Sequence, residues 1–162
     1  MTDIIERAIY LRGLFLQRYA GVEFALAHLI AVAKLHAAYQ AFPVMSASHS
    51  KRVGQLNRLV KAPGPLMLYA KDLFPAYERM KAYYEDRMMM AHAIMGSGRG
   101  HALDCGVSFR MYQKRAEEIF MGSLDLTISE FEQLVEQLVP FSTDLTALVA
   151  KVCRTMGTDI QA

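Results

Sequence analysis

The chain has 162 residues, 53% of them hydrophobic, which is enough for one domain with a buried core and too little for two, so a single domain over 1–162 is expected. Lysine and arginine number 18 against 16 aspartates and glutamates, and the net charge of +2 gives only a slight bias toward polyanions. Cys105 and Cys153 match no zinc spacing and no redox pair, which points to a reducing cytoplasm rather than a disulfide-stapled secreted fold.

In the first forty or so residues, Ile4, Ala8, Leu11, Phe15, Val22, Leu26, Leu29 and Ala33 recur at steps of three and four with one gap near Tyr19, predicting one long amphipathic helix. Charge scattered through its opening, "MTDIIERAIYLRGLF", is unlike a secretory signal. The most apolar stretch is broken by Glu23, His28, Lys34 and His36, short of the roughly 18 uncharged residues of a membrane span, so no membrane partner is expected. Pro43 and the serines of "AFPVMSASHS" should end this helix. A short basic helix follows from about Ser48 or Ser50 to Val60, with Val53, Leu56, Leu59 and Val60 inward and Lys51, Arg52, Arg58 and Lys61 outward.

After the breaker "KAPGPL", the stretch "LMLYAKDLFPAYERMKAYYEDRMMMAHAIM" reads as helical, with Pro75 kinking it or starting a new segment and "GSGRG" ending it. From Gly96 to about Leu126, "HALDCGVSFRMY" alternates as a short strand would, while "QKRAEEIF" fits one or two helical turns. Thr127 and Glu130 then form a capping box that opens the last helix. Along it Phe131, Leu134, Leu138, Phe141, Leu145, Leu148 and Val152 make an apolar seam, with Pro140 bending it. Together these elements predict an all-α fold, an antiparallel up-and-down helical bundle of four to five helices with a small hairpin or irregular insertion before the last helix.

No glycine-rich phosphate loop, nucleophile elbow or paired-His zinc helix is present, so neither a metal nor a cofactor is expected. His28 and His36 lie about 12 Å apart along a helix, too far to share a metal. His28 reads as a core or interface histidine, and His49 and His101 fall in predicted loops. "YYEDRMMMAHAIM" is more informative. Arg87 and His92 are about 140° apart around an ideal helix, and Glu85 and His92 share a stripe but are separated by about 10.5 Å along the axis. No direct contact within one chain is expected. Across a twofold axis, however, Glu85 or Arg87 of one subunit could approach His92 of the other. The methionines and alanines around His92 are expected to enclose it in soft apolar surface and favour the neutral imidazole.

"EDRMMMAHAI" resembles the Arg-x4-His signature of the HEPN superfamily. In the order expected of that family, "GVEFALAHLI", "FPVMSASHSKRVGQLNRL" and "LTISEFEQLVEQLVPFSTDLTALV" are similar to its other helical segments, so the resemblance covers most of the chain. Membership would imply a helical, frequently dimeric bundle, and for many members a metal-independent endoribonuclease of toxin–antitoxin, phage-defence or RNA-processing systems. The implied roles are proton transfer for His92 and stabilisation of developing phosphate charge for Arg87. Met88 stands where the family usually carries a polar residue, and Glu85 or Asp86 would substitute for it. Lys51, Arg52, Arg58 and Lys61 could hold an RNA backbone. The implied partners are a second copy of the chain, RNA, and an antitoxin or other protein. The alternative implied by the same ancestry is a noncatalytic dimer, serving as a protein-interaction or nucleotide-binding module, in which Arg87 makes a structural ion pair and His92 fills an interface.

Overall fold

The computed structural model describes residues 2–97, 106–115 and 117–157; His101 and Cys105 lie outside them. Four helices and three strands follow in the order α1 (Thr2–Leu35), α2 (His49–Lys61), α3 (Ala70–His92), β1 (Ile94–Ser97), β2 (Gly106–Arg115), β3 (Glu118–Thr127) and α4 (Ile128–Thr155), with 3₁₀ turns at Ala37–Tyr39 and Pro65–Tyr69. The fold is therefore mixed α/β, and the expected all-α bundle is overturned by a three-stranded antiparallel sheet of order β1-β2-β3. Among the described residues no helix is long and apolar enough to cross a membrane.

The sheet replaces two helical expectations. Of "QKRAEEIF", expected to be helical, residues 113–115 end β2 and residues 118–120 open β3, and the two strands pair from Gly106↔Thr127 to Arg115↔Glu118. Ile94, Met95 and Gly96, expected to continue or terminate α3, pair instead with Arg110, Phe109 and Ser108. Ala93 and Met95 are good helix formers, so propensity alone would carry α3 on to Gly96; the ladder hydrogen bonds offered by β2 override it. Pro75 lies inside α3, where the bond to the Lys71 carbonyl is lost because proline has no N–H.

The described residues form two compact units. The first comprises 1–19 and 85–140. Its core contains Ala8, Leu11, Phe15, Met89, Met90, Val107, Phe109 and Phe131. Phe109 and Phe131 meet edge-on at 5.7 Å, which fastens β2 to the start of α4. The capping box is formed as expected: Thr127 N–H donates to Glu130 Oε2 at 2.8 Å, and Glu130 N–H donates to Thr127 Oγ1 at 3.1 Å. The bond from Thr127 N–H, followed by one from the Thr127 hydroxyl to the same oxygen at 3.0 Å, holds the Glu130 carboxyl below its ordinary range.

The second unit comprises 20–84 and 141–162. Val22, Leu26, Leu29, Val53, Leu56, Leu59, Val60, Leu73, Leu145 and Val152 are buried in it. The Tyr39 hydroxyl, fully buried, accepts from Leu66 N–H at 2.8 Å. Gly64, at φ 155°, lies against the same ring, where a Cβ would come within 2.5 Å of the hydroxyl oxygen. Only glycine fits both the conformation and the space. On the part of α4 in this unit Val149 is buried, while its neighbour Leu148, expected inward, is half-buried.

Candidate functional site

His92 is the last residue of α3 and is exposed. The apolar enclosure expected around it is absent, because the chain leaves the helix one residue later and Met89, Met90 and Ala93 turn into the core without it. Arg12 fixes this helix end. Its Nε donates to the Met90 carbonyl at 2.6 Å and its Nη2 to the Ala93 carbonyl at 3.3 Å, while the guanidinium lies 5.9 Å from the centre of the Phe109 ring. A cation on the last carbonyls of a helix satisfies unpaired acceptors and complements the negative end of the helix dipole.

Arg12 thus sets the point at which α3 passes into β1, and so where His92 stands. His92 lines a groove of about 660 Å³ whose other walls include Ile94, Ser108, Arg110, Tyr112 and Met121. The strand register explains the set. Ile94 pairs with Arg110, and Tyr112 with Met121, while Ser108, Arg110 and Tyr112 alternate along one face of β2. The opposite face carries Val107 and Phe109 into the core.

Chemically the groove is amphipathic. Ile94 is 81% exposed, Tyr112 77% and Met121 57%, values unusual for large side chains on a sheet that already has one buried face. The Arg110 guanidinium donates from Nε to Ser108 Oγ at 3.2 Å and, among the described residues, forms no ion pair with a carboxylate. A guanidinium, an imidazole and a hydroxyl on one groove suit an anion with a flat apolar portion attached.

The other expected site residues are placed differently. Arg87 is half-buried within α3, its Nη1 3.7 Å from Met88 Sδ, and it is not among the residues lining the His92 groove. The two side chains five positions apart are not brought together within one chain, as helical geometry requires. Glu85 is exposed. Asp86 is half-buried, and burial, followed by repulsion from Glu85, raises its carboxyl above the ordinary range.

Lys51, Arg52, Arg58 and Lys61 all lie on α2, in the second unit. Lys51 and Arg58 are exposed, and the Lys61 ammonium is 5.9 Å from the centre of the Phe74 ring. Arg52 turns back on the preceding loop, donating to the carbonyls of Ser46 at 3.2 Å and Ala47 at 2.9 Å.

His49 is not in a loop. It opens α2, is buried, stacks on Tyr84 at 5.7 Å, and has Nδ1 3.4 Å from Glu23 Oε1. His28 is half-buried and stacks on Phe24 at 6.1 Å.

Sequence reasoning missed Arg12, Ser108, Arg110 and Tyr112. The signal for the last three was the alternation in "GVSFRMY", which places Ser, Arg and Tyr on one side and Val, Phe and Met on the other. Arg12 had no such signal, because its partners are backbone carbonyls 78 and 81 positions away. Among the described residues no group of three or more His, Cys, Asp or Glu side chains could hold a metal ion. In comparisons with known proteins, no family model, no curated protein and no solved structure matches the chain.

Proposed function

We propose that this chain is a HEPN-like, RNA-interacting protein acting in the cytoplasm, and that its phosphate-binding pair is His92 with Arg110. The observation that carries this reading is the shared groove: an exposed imidazole and an arginine without a carboxylate partner among the described residues line one cavity of about 660 Å³. That volume lies within the usual range for small-ligand sites.

In metal-independent cleavage of RNA, the ribose 2′-oxygen bonds to phosphorus as the bond from phosphorus to the 5′-oxygen breaks. His92 accepts the proton leaving the 2′-hydroxyl, and the resulting imidazolium returns one to the departing 5′-oxygen. Arg110 stabilises the charge that grows on the phosphate oxygens. The products are a 2′,3′-cyclic phosphate and a 5′-hydroxyl.

The test is incubation of labelled RNA in EDTA with the wild type and with His92→Ala, Arg110→Ala and Arg87→Ala, scoring fragments that end in cyclic phosphate. Loss of cleavage in both His92→Ala and Arg110→Ala supports the groove. Undiminished cleavage in His92→Ala rejects His92 as the proton-transfer group. Loss in Arg87→Ala without loss in Arg110→Ala points instead to a site shared across two copies of α3.

A second reading, a noncatalytic interaction module acting as a homodimer, is favoured by one specific feature. Ile94, Tyr112, Ile119 and Met121 are all highly exposed on the same sheet face. A stable dimer that neither binds nor cleaves RNA would establish it.

A further inference from the structure

We propose that Tyr112 is a nucleobase-binding wall of the groove, so that one unpaired base lies against its ring while the adjoining phosphate meets Arg110 and His92. This rests on the RNA reading above and adds to it a subsite with its own residue. Tyr112 and Arg110 are two positions apart on the same face of β2, about 7 Å along the strand. A single nucleotide bridges such a span from base to phosphate.

Met121, directly across from Tyr112 on β3, and Ile94, directly across from Arg110 on β1, extend the apolar floor beside the ring. Tyr112 is 77% exposed, so the surface of an aromatic ring is available to a base from solvent. Any base can stack there, but only one whose own faces are not already covered. Duplex nucleic acid keeps both faces of each base stacked and is excluded from that contact.

The charge of the face selects RNA over another copy of the chain as occupant. Arg110 and Lys114 lie on it with His92 at its rim, while Asp125, beside Ser108, is the only carboxylate that the described residues of β2 and β3 place on that face. Lys114 is itself 3.9 Å from Glu117, beyond the end of β2. Arg110, nearest the groove, has no carboxylate against it among the described residues. The surface is also concave around the ring, whereas a second copy would need a broad complementary face.

The experiment is fluorescence anisotropy with a short labelled single strand, 2′-O-methylated so that it cannot be cleaved, and with the same strand annealed to its complement. The proteins are the wild type, Tyr112→Val, Tyr112→Phe and Arg110→Ala. Valine keeps strand propensity and removes the ring, and circular dichroism confirms the fold of each variant.

The expected result is single-strand binding weakened about tenfold or more in Tyr112→Val, rescue in Tyr112→Phe, and unchanged duplex binding. The salt dependence of binding should stay the same in Tyr112→Val and fall in Arg110→Ala. Tyr112→Val binding the single strand like the wild type, while Arg110→Ala weakens it, rejects the base subsite and leaves the phosphate site standing. Failure of the wild type to bind any RNA at low salt removes the underlying reading as well. A wild-type dimer that becomes monomeric in Tyr112→Glu, seen by light scattering, gives the face to a second copy and overturns the inference.

Discussion

Arg7 and Arg12 lie on the same helix and each binds within the first unit, yet their substitutions should differ sharply. Arg7 makes an ion pair: its Nη2 and Nε donate to Glu132 Oε1 at 2.6 and 2.9 Å. Both partners are exposed, however, at 47% and 38% of their side-chain surface, so water and salt compete and the pair contributes at most about 1 kcal/mol. Arg12 is half-buried, and its bonds run to backbone carbonyls.

In Arg12→Met the apolar stem is kept and the guanidinium lost. The 2.6 Å charge-assisted bond to the Met90 carbonyl should cost about 1.5–3 kcal/mol. The longer bond to Ala93 adds little, and loss of the cation beside Phe109 adds about 0.5–1 kcal/mol. The sum is about 2–4 kcal/mol, a fall in Tm on the order of 5–15 °C for a chain of this size, against less than about 4 °C for Arg7→Met.

Thermal unfolding followed by circular dichroism measures both variants. Amide exchange at Ala93, whose N–H bonds to the Met89 carbonyl at 3.0 Å, should accelerate only in Arg12→Met. The His92 NMR signals should shift in that variant because the end of α3 is no longer pinned. An Arg7→Met variant at least as destabilised as Arg12→Met would refute this reasoning.

Two further outcomes follow from the buried polar groups. Burial, with repulsion from Glu85 second, raises the Asp86 carboxyl above its usual 3.8, so the folded chain holds that proton more tightly than the unfolded one. Stability is then lost as pH rises through this window, and Asp86→Asn should be more stable than the wild type at pH 7 in urea titrations, with the advantage vanishing below the ordinary carboxyl range. An advantage that grew on acidification would contradict this. Tyr39→Phe strands the Leu66 amide without its acceptor and should cost about 1–3 kcal/mol near neutrality. Burial, only partly offset by the Leu66 bond, raises the Tyr39 hydroxyl above 10.0. The wild type therefore loses stability as pH climbs through that raised value while the phenylalanine variant does not, so the gap between them should narrow in alkaline urea titrations; equal stability at pH 7 would show that the bond contributes nothing.

The sequence by itself determined the helices whose signals are local. The apolar stripe of α1 is buried from Ala8 to Ala33, with Tyr19 filling the gap in the pattern. The Thr127–Glu130 capping box opens α4 where its residues said it would, because capping joins groups three positions apart. The inward set of α2, Val53, Leu56, Leu59 and Val60, was legible for the same reason.

The alternation in "GVSFRMY" left part of β2 legible, but tertiary structure alone decided β1, the extent of the sheet and the site. β1 is assembled from residues that read as a helix end, and it exists because Ile94 to Ser97 found ladder partners at Val107 to Arg110, ten or more positions along the chain. Pairing over such a separation leaves no mark in local propensity. The same long-range event ended α3 at His92 and put it on one groove with Arg110, where the family resemblance had suggested Arg87 as its companion. Arg12, bonded to carbonyls far along the chain, then fixed it there. A residue's type is written in the chain, but its neighbours across a sheet are set only when separated segments hydrogen-bond and bury a common face.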